Sequence, residues 1–347
     1  MLATNKQKLL KAYLTQEDEN LMAFDLDVIV SRLKFLANGK PKNLKVLFPV
    51  KSFAHPKILE LISKYLDGFD VSNTNEYSLI REHILNSSLI WCSGPFLIDD
   101  MVKLDVICDV SSYNKLSTST TSLRVDPDFL SSYKRRSRFG FSCKELLSDK
   151  NLCDISYLHF HYASEQNTLK DYKEIIDYCA KLYSTKKLTK LSVNLGGGFT
   201  HFNEKEFNDL FNYLSQFSYI NFIIEPGRFI STQSGLLFGR VKDYFEKDLE
   251  HYITVSVSSL SHLKWGCEKI SFSFFSTNSS THEFSIDSSK ASHILGATCS
   301  ERDIILKANR KFSFSLDDII MLSNLNGYCV GWNHSFNGIK AADVRFY

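Results

Sequence analysis

LKVLFPVKSFAHPKILELISKYLDGFDVS, residues 44–72, decides the fold class of this chain. An apolar run of strand length (LKVLFPV) leads into Pro56–Leu66 (PKILELISKYL), whose apolar residues recur at helical spacing. A second short apolar run, GFDVS (68–72), follows. The segment is therefore one β/α unit and the strand of the next. The pattern continues at LIWCSG, VICDVSS, TSLRVDP, YLHFHYAS, KLSVNLGGG and INFIIEPGR, and Leu169–Leu182 (LKDYKEIIDYCAKL) is a second clear helix. Eight such runs predict a TIM (β/α)8 barrel over residues 21–243, an architecture that usually takes ~250 residues. A doubly wound parallel sheet is the alternative arrangement of the same units.

Past Phe238 the texture changes to short alternating segments rich in Ser, Phe and Thr, such as HYITVSVSSLS and ISFSFFST. Residues 244–347 are expected to form an antiparallel β domain, with residues 1–20 packed on it.

Composition narrows the function. The 347 residues include 41 basic and 39 acidic side chains, a formal charge of +2, and no basic run. Nucleic acid is not an expected partner; a small molecule is. No stretch approaches the roughly 20 apolar residues of a membrane span, and the lysine- and acid-rich N-terminus lacks the core of a secretory signal. The eight cysteines are scattered without a CxxC pair, so neither a zinc site nor a disulfide framework is expected. A reduced cytoplasm is the expected compartment.

In a barrel, chemistry sits where strands end. Lys51 ends the first strand, Asp70 lies in the second, His161 and Ser164 end the sixth, Gly196, Gly197 and Gly198 end the seventh, and Glu225 to Arg228 end the eighth. A lysine at such a rim is a plain surface charge or a desolvated amine fit for covalent chemistry with carbonyls. Three glycines let backbone approach an anion closely, though turn chemistry alone also uses them. Arg228 suits a phosphate, or a surface ion pair. His159 and His161 share a strand face, but without a third ligand at a supporting spacing no metal is expected.

The motifs FPVKSFAHPKILELISKYLDGFDVSNTNEYSLI, LIWCSGP, SLRVDPD, SRFGF, LHFHYAS, NLGGGF, EPGR, GATCSERDIIL and NGYCVGWNHSFNG stand in one order over roughly residues 20–347. In that order the chain resembles the fold-type III, alanine racemase-like pyridoxal phosphate decarboxylases, the group of ornithine, diaminopimelate and carboxynorspermidine decarboxylases. The resemblance implies pyridoxal 5′-phosphate as cofactor, linked covalently to Lys51. It implies His161 stacked on the ring and Glu225 paired with the pyridine nitrogen. Arg228, the 196–198 glycines, Ser164 and Tyr328 would hold the phosphate, with Asp70 and Glu76 near the lysine side. Cys299 would return a proton from a partner subunit, which makes a homodimer with shared active sites the expected assembly. Read alone, Cys299 is equally a small buried hydrophobe.

The chain also departs from that family. Ala163 replaces the glycine of the phosphate segment, and serines, Ser256 and Ser300, stand where the diamine enzymes place acids. A buried ammonium without a carboxylate is costly. The expected substrate is therefore an amino acid with a large, non-cationic tail. One example is a 3-amino-3-carboxypropyl group on a nucleotide, as in antibiotic biosynthesis. Glu301 is the residue that could reverse this expectation, by turning inward as a distal-amine ligand. A diamine-pathway decarboxylase, a racemase and a catalytically silent homologue are the alternatives.

Overall fold

A computed structural model describes residues 2–14, 19–84, 89–94, 104, 106–111, 121–133, 137–148, 156–161, 167–266, 269–277, 283–286 and 288–347. The strands in chain order begin with β1 (Leu21–Phe24), β2 (Leu44–Pro49), β3 (Gly68–Val71), β4 (Leu89–Cys92) and β5 (Ile107–Val110). Next come β6 (Thr121–Asp126), β7 (Phe141–Ser142), β8 (Tyr157–Phe160), β9 (Ser192–Asn194) and β10 (Asn221–Ile224). The last nine are β11 (Gly235–Lys247), β12 (Glu250–Val255), β13 (Ser271–Phe275), β14 (Phe284–Ile286), β15 (Ser292–Leu295), β16 (Ile304–Ala308), β17 (Phe312–Phe314), β18 (Ile319–Leu325) and β19 (Asp343–Phe346).

Eight strands pair in parallel around a closed ring: β2, β3, β4, β5, β6, β8, β9 and β10, which returns to β2. Closure excludes the doubly wound sheet and confirms the barrel. All eight runs singled out in the sequence are these strands. Such strands are covered on both faces, which is why apolar runs such as LIWC and NFII dominate over alternation. One interior layer is Leu47, Trp91, Ile107 and Ile223.

The helices that matter for the site are set by caps. Thr168 and Asp171 form a capping box at the start of the helix Leu169–Thr185, and Asn203 and Glu206 do the same for Glu204–Ser215. The first of these helices buries Tyr172, Ile175, Ile176, Cys179 and Leu182 along one stripe.

By contacts the chain forms two units, residues 30–230 with the barrel, and residues 1–29 with 231–347. In the second unit β11 pairs antiparallel with β1, β12 and β18. That sheet is mostly antiparallel, as the alternation predicts, and β12 shows it directly by burying every second residue. The division falls elsewhere than the boundary read at 243/244. Leu21–Phe24 pairs with β11 and with β19, so both β1 and the start of β11 belong to the β unit, not the barrel. Tyr13 of the helix Leu2–Leu14 packs with Leu21, Ala23, Leu236, Phe238 and Ile319 of the same unit.

Candidate active site

Lys51 stands in a single 3-10 turn, Val50–Ser52, that follows β2. Its Nζ lies 3.4 Å from Asp70 Oδ2, on the neighbouring strand. Asp70 is buried, with Ser93 beside its carboxyl. Burial and the nearby Glu225 push its carboxyl well above the usual carboxylate range, against the pull of Lys51.

His161 leaves the end of β8. Burial, with Arg124, Lys51 and His159 nearby, holds its imidazole well below the usual histidine value, so the ring is neutral at physiological pH. Its Nδ1 accepts the Gly197 N–H at 3.2 Å, which leaves the ring proton on Nε2.

Glu225 ends the run INFIIE and is buried. Asn194 Nδ2 donates to its Oε1 at 2.6 Å, and His159 Nε2 lies 3.8 Å from the same oxygen. Ligand-capable atoms of His159, His161 and Glu225 all lie within 4.8 Å of one another. Glu225 is thus the third group whose absence the linear spacing implied, because it arrives from a strand two places round the ring. Each of the three is already engaged, His159 by Asp109, His161 by Gly197 and Glu225 by Asn194.

The glycines are needed for close approach. Gly196 and Gly198 have φ of +67° and +101°, and added Cβ atoms would stand 2.8 Å from the Phe160 carbonyl and 2.4 Å from Asn167 Nδ2. Tyr172 donates its hydroxyl to the Gly197 carbonyl at 2.8 Å, fixing the loop to the capped helix. The N–H groups of Gly196 and Gly197 go to Asn194 Oδ1 and His161 Nδ1. They orient side chains of the site, Asn194 and His161. The Arg228 guanidinium is 3.5 Å from Thr200 Oγ1, just past the glycines.

Several residues here were not singled out in the sequence. Asp109 accepts from Trp91 Nε1 at 2.8 Å, contacts His159 Nδ1 at 2.5 Å and lies 3.5 Å from Arg124 NH1. A cavity of about 200 Å³ beside Lys51 is lined by Ser93, Ser111, Arg124, Phe139 and His161, among others. Glu76, which the sequence did single out, is placed by its own helix, where its carboxylate accepts the Ser72 N–H at 2.7 Å.

The other candidates lie in the second unit or outside the described residues. Ser164, with Ala163, is outside them. Ser256 is buried, its hydroxyl donating to Asn20 Oδ1 at 2.7 Å and accepting the Arg240 N–H at 2.8 Å. That commitment gives it a structural task in the sheet, where a substrate contact was expected. Cys299 is exposed, with its N–H bonded to Asn337 Oδ1. Cys299, Ser300 and Glu301 share a loop pinned by Asp303, which accepts from Ser259 and Thr298. The same loop borders a cavity of about 490 Å³ with Tyr252 and His293. Tyr328 opens the short helix Tyr328–Gly331, its N–H bonded to Asn326.

The barrel site fits pyridoxal phosphate on structural grounds. It offers an amine, a neutral flat imidazole, a buried carboxylate, a close-packed glycine loop and an arginine beyond it. Comparison with known proteins agrees. Residues 26–232 match the family "Pyridoxal-dependent decarboxylase, pyridoxal binding domain". Diaminopimelate decarboxylase of Aquifex aeolicus is 22% identical over 278 residues, 68% of this chain and 65% of that protein, so the chain spans just under two thirds of that relative's length. The lysine/ornithine decarboxylase of Vibrio vulnificus has TM-score 0.78 at 19% identity, covering 98% of this chain and 97% of that one. The arginine decarboxylase of Paramecium bursaria Chlorella virus also gives 0.78, at 16% identity and 99% and 100% coverage. At such identities the structural likenesses speak for the fold.

Proposed function

The chain belongs to the pyridoxal-dependent decarboxylases, and from that premise we propose that it removes the α-carboxylate of an amino-acid substrate. The observation that supports this most is the meeting of Lys51, Asp70, His161 and Glu225 at one end of the barrel, each delivered by a different strand. When bound, the cofactor supplies the electron sink for the bond broken at Cα. Lys51 would hold it covalently and exchange that link for the substrate amine. Asp70, whose carboxyl burial and Glu225 raise well above the usual range, would hold the Lys51 amine in its charged form less firmly than an ordinary carboxylate. His161 would cover one ring face without adding charge. Glu225, set by Asn194, would hold a proton on the pyridine nitrogen, which favours charge that develops only during bond cleavage. Arg228 and the Gly198 N–H would take the phosphate.

Cys299 would return the proton to Cα, entering from a partner subunit of a homodimer. Mixing Lys51→Ala and Cys299→Ala chains should then restore about a quarter of native activity, since half the dimers are mixed and each has one good site. No recovery after verified exchange contradicts the shared site.

The proposed substrate carries a non-cationic tail. Among the described residues lining the cavity beside Lys51, the one carboxylate is Asp109, and it is taken up by His159, Arg124 and Trp91. What remains is hydroxyls, Arg124 and Phe139, a set that suits neutral or anionic groups. Carbon dioxide release from a panel of amino acids, with product identification, tests this. Ornithine and lysine should turn over poorly. Efficient turnover of either, abolished by Glu301→Gln, makes Glu301 the distal-amine ligand and overturns the substrate reading. Release from no α-amino acid overturns the activity.

A further inference from the structure

The buried histidine on β8 has no task in the reading above, yet it joins two acids. His159 is completely buried, and its two ring nitrogens face different carboxylates. Nδ1 lies 2.5 Å from Asp109 Oδ2, while Nε2, which has no hydrogen-bond partner among the described residues, lies 3.8 Å from Glu225 Oε1.

The proton on this ring can be placed by elimination. Although burial alone would raise the Asp109 carboxyl, contacts with His159, Arg124 and Trp91 outweigh it and hold the group below the usual range. Asp109 is therefore ionised and can only accept. A contact of 2.5 Å between its oxygen and Nδ1 requires the hydrogen on Nδ1. Arg124 NH1, 3.2 Å from the same nitrogen, has no acceptor to offer it and serves Asp109 instead. Trp91 Nε1 closes the other oxygen of Asp109 at 2.8 Å. Both ends of Asp109 are thus held by the barrel wall, and the imidazole plane is fixed in turn.

We propose that His159 is a positioning residue, which transmits the fixed orientation of Asp109 to Glu225 and so aims the Glu225 carboxylate at the ring nitrogen of the bound cofactor. Asn194 holds one oxygen of Glu225 from the neighbouring strand, and the Nε2 edge of His159 bounds the carboxylate on another side. Carboxylates fix the plane of a histidine in this way at metal and catalytic centres; here the fixed Nε2 edge confines Glu225 by packing at 3.8 Å, without a hydrogen bond. The inference rests on the reading of Glu225 as the partner of the ring nitrogen.

Two variants separate the functions of the two nitrogens. In His159→Asn the amide nitrogen stands near Nδ1 and keeps the bond to Asp109, while the Nε2 edge is lost. In His159→Gln the amide reaches the Nε2 position. Cofactor dissociation constants and the 15N shift of ring-labelled pyridoxal phosphate should be measured in the native protein, both variants, Glu225→Gln and the His159→Asn/Glu225→Gln double variant. We expect His159→Asn to weaken cofactor binding about tenfold and to move the ring 15N resonance toward the unprotonated position, with His159→Gln partly restoring both. In the Glu225→Gln background, His159→Asn should add little. Equal effects in both backgrounds, or a change in thermal stability alone, overturn the proposal while leaving cofactor binding intact. Failure of the native protein to bind cofactor overturns the underlying reading instead. The native, cofactor-free protein gives an independent check: imidazole 15N spectra must show His159 protonated at Nδ1, and a bare Nδ1 sinks the proposal even where variants fail to fold.

Discussion

Lys51 Nζ and Asp70 Oδ2 lie 3.4 Å apart, an amine with 40% of its side chain exposed facing a carboxyl with none. Because burial and Glu225 raise the folded-state value of Asp70, its share of stability is full below the unfolded carboxyl value, about 3.9, and is lost as pH rises toward the folded value. Asp70→Asn removes the ionisation and keeps the shape. The melting temperature of the cofactor-free variant should exceed that of the native protein by a margin that widens as pH rises above about 4 toward the folded-state value. A margin that is constant, or that narrows toward alkaline pH, contradicts this assignment.

His161 has the opposite sign. Its folded value is depressed by burial and by neighbouring Arg124 and Lys51, so the stability it confers is present above about pH 6.5 and is lost as pH falls below that. Acid titration of unfolding should show a one-proton decline beginning there. His161→Phe, which keeps the flat face without the ionisation, should flatten that part of the curve.

The 196–198 glycines test the loop. Gly198→Ala forces a side chain to φ of +101° and drives its Cβ to 2.4 Å from Asn167 Nδ2. A loss of roughly 1–3 kcal/mol in stability is expected from the backbone alone, together with weakened cofactor binding. Chemical denaturation with and without cofactor measures both.

Much of this was legible in the sequence because β/α repetition and strand-end position are local signals. The eight strands, the lysine at the first strand end and the acid at the eighth all follow from them. Partners across the ring are not local. Asp109 and His159 are 50 residues apart, and only closure through β6 brings them together. A charged residue inside an apolar run, as in ICDV and SLRV, was the available signal for Asp109 and Arg124. The partner of Ser256 was hidden for the same reason, since Asn20, which accepts its hydroxyl, lies 236 positions earlier. The unit boundary was missed because four residues, Leu21–Phe24, choose partners in strands more than 200 residues away.

Arg228 should distinguish the phosphate from the rest of the cofactor. Arg228→Gln is expected to weaken pyridoxal phosphate binding by roughly ten- to a hundredfold, the worth of a charged hydrogen bond. Binding of pyridoxal, which lacks the phosphate, should change little. Equal losses for both ligands would place the guanidinium elsewhere.

Every role proposed for the barrel site depends on Lys51 carrying the cofactor. Protein incubated with pyridoxal phosphate, reduced with borohydride and digested should yield one modified peptide, that containing Lys51, and Lys51→Ala should yield none. A label on another lysine, or an unmodified Lys51 peptide in protein that binds the cofactor, contradicts the account.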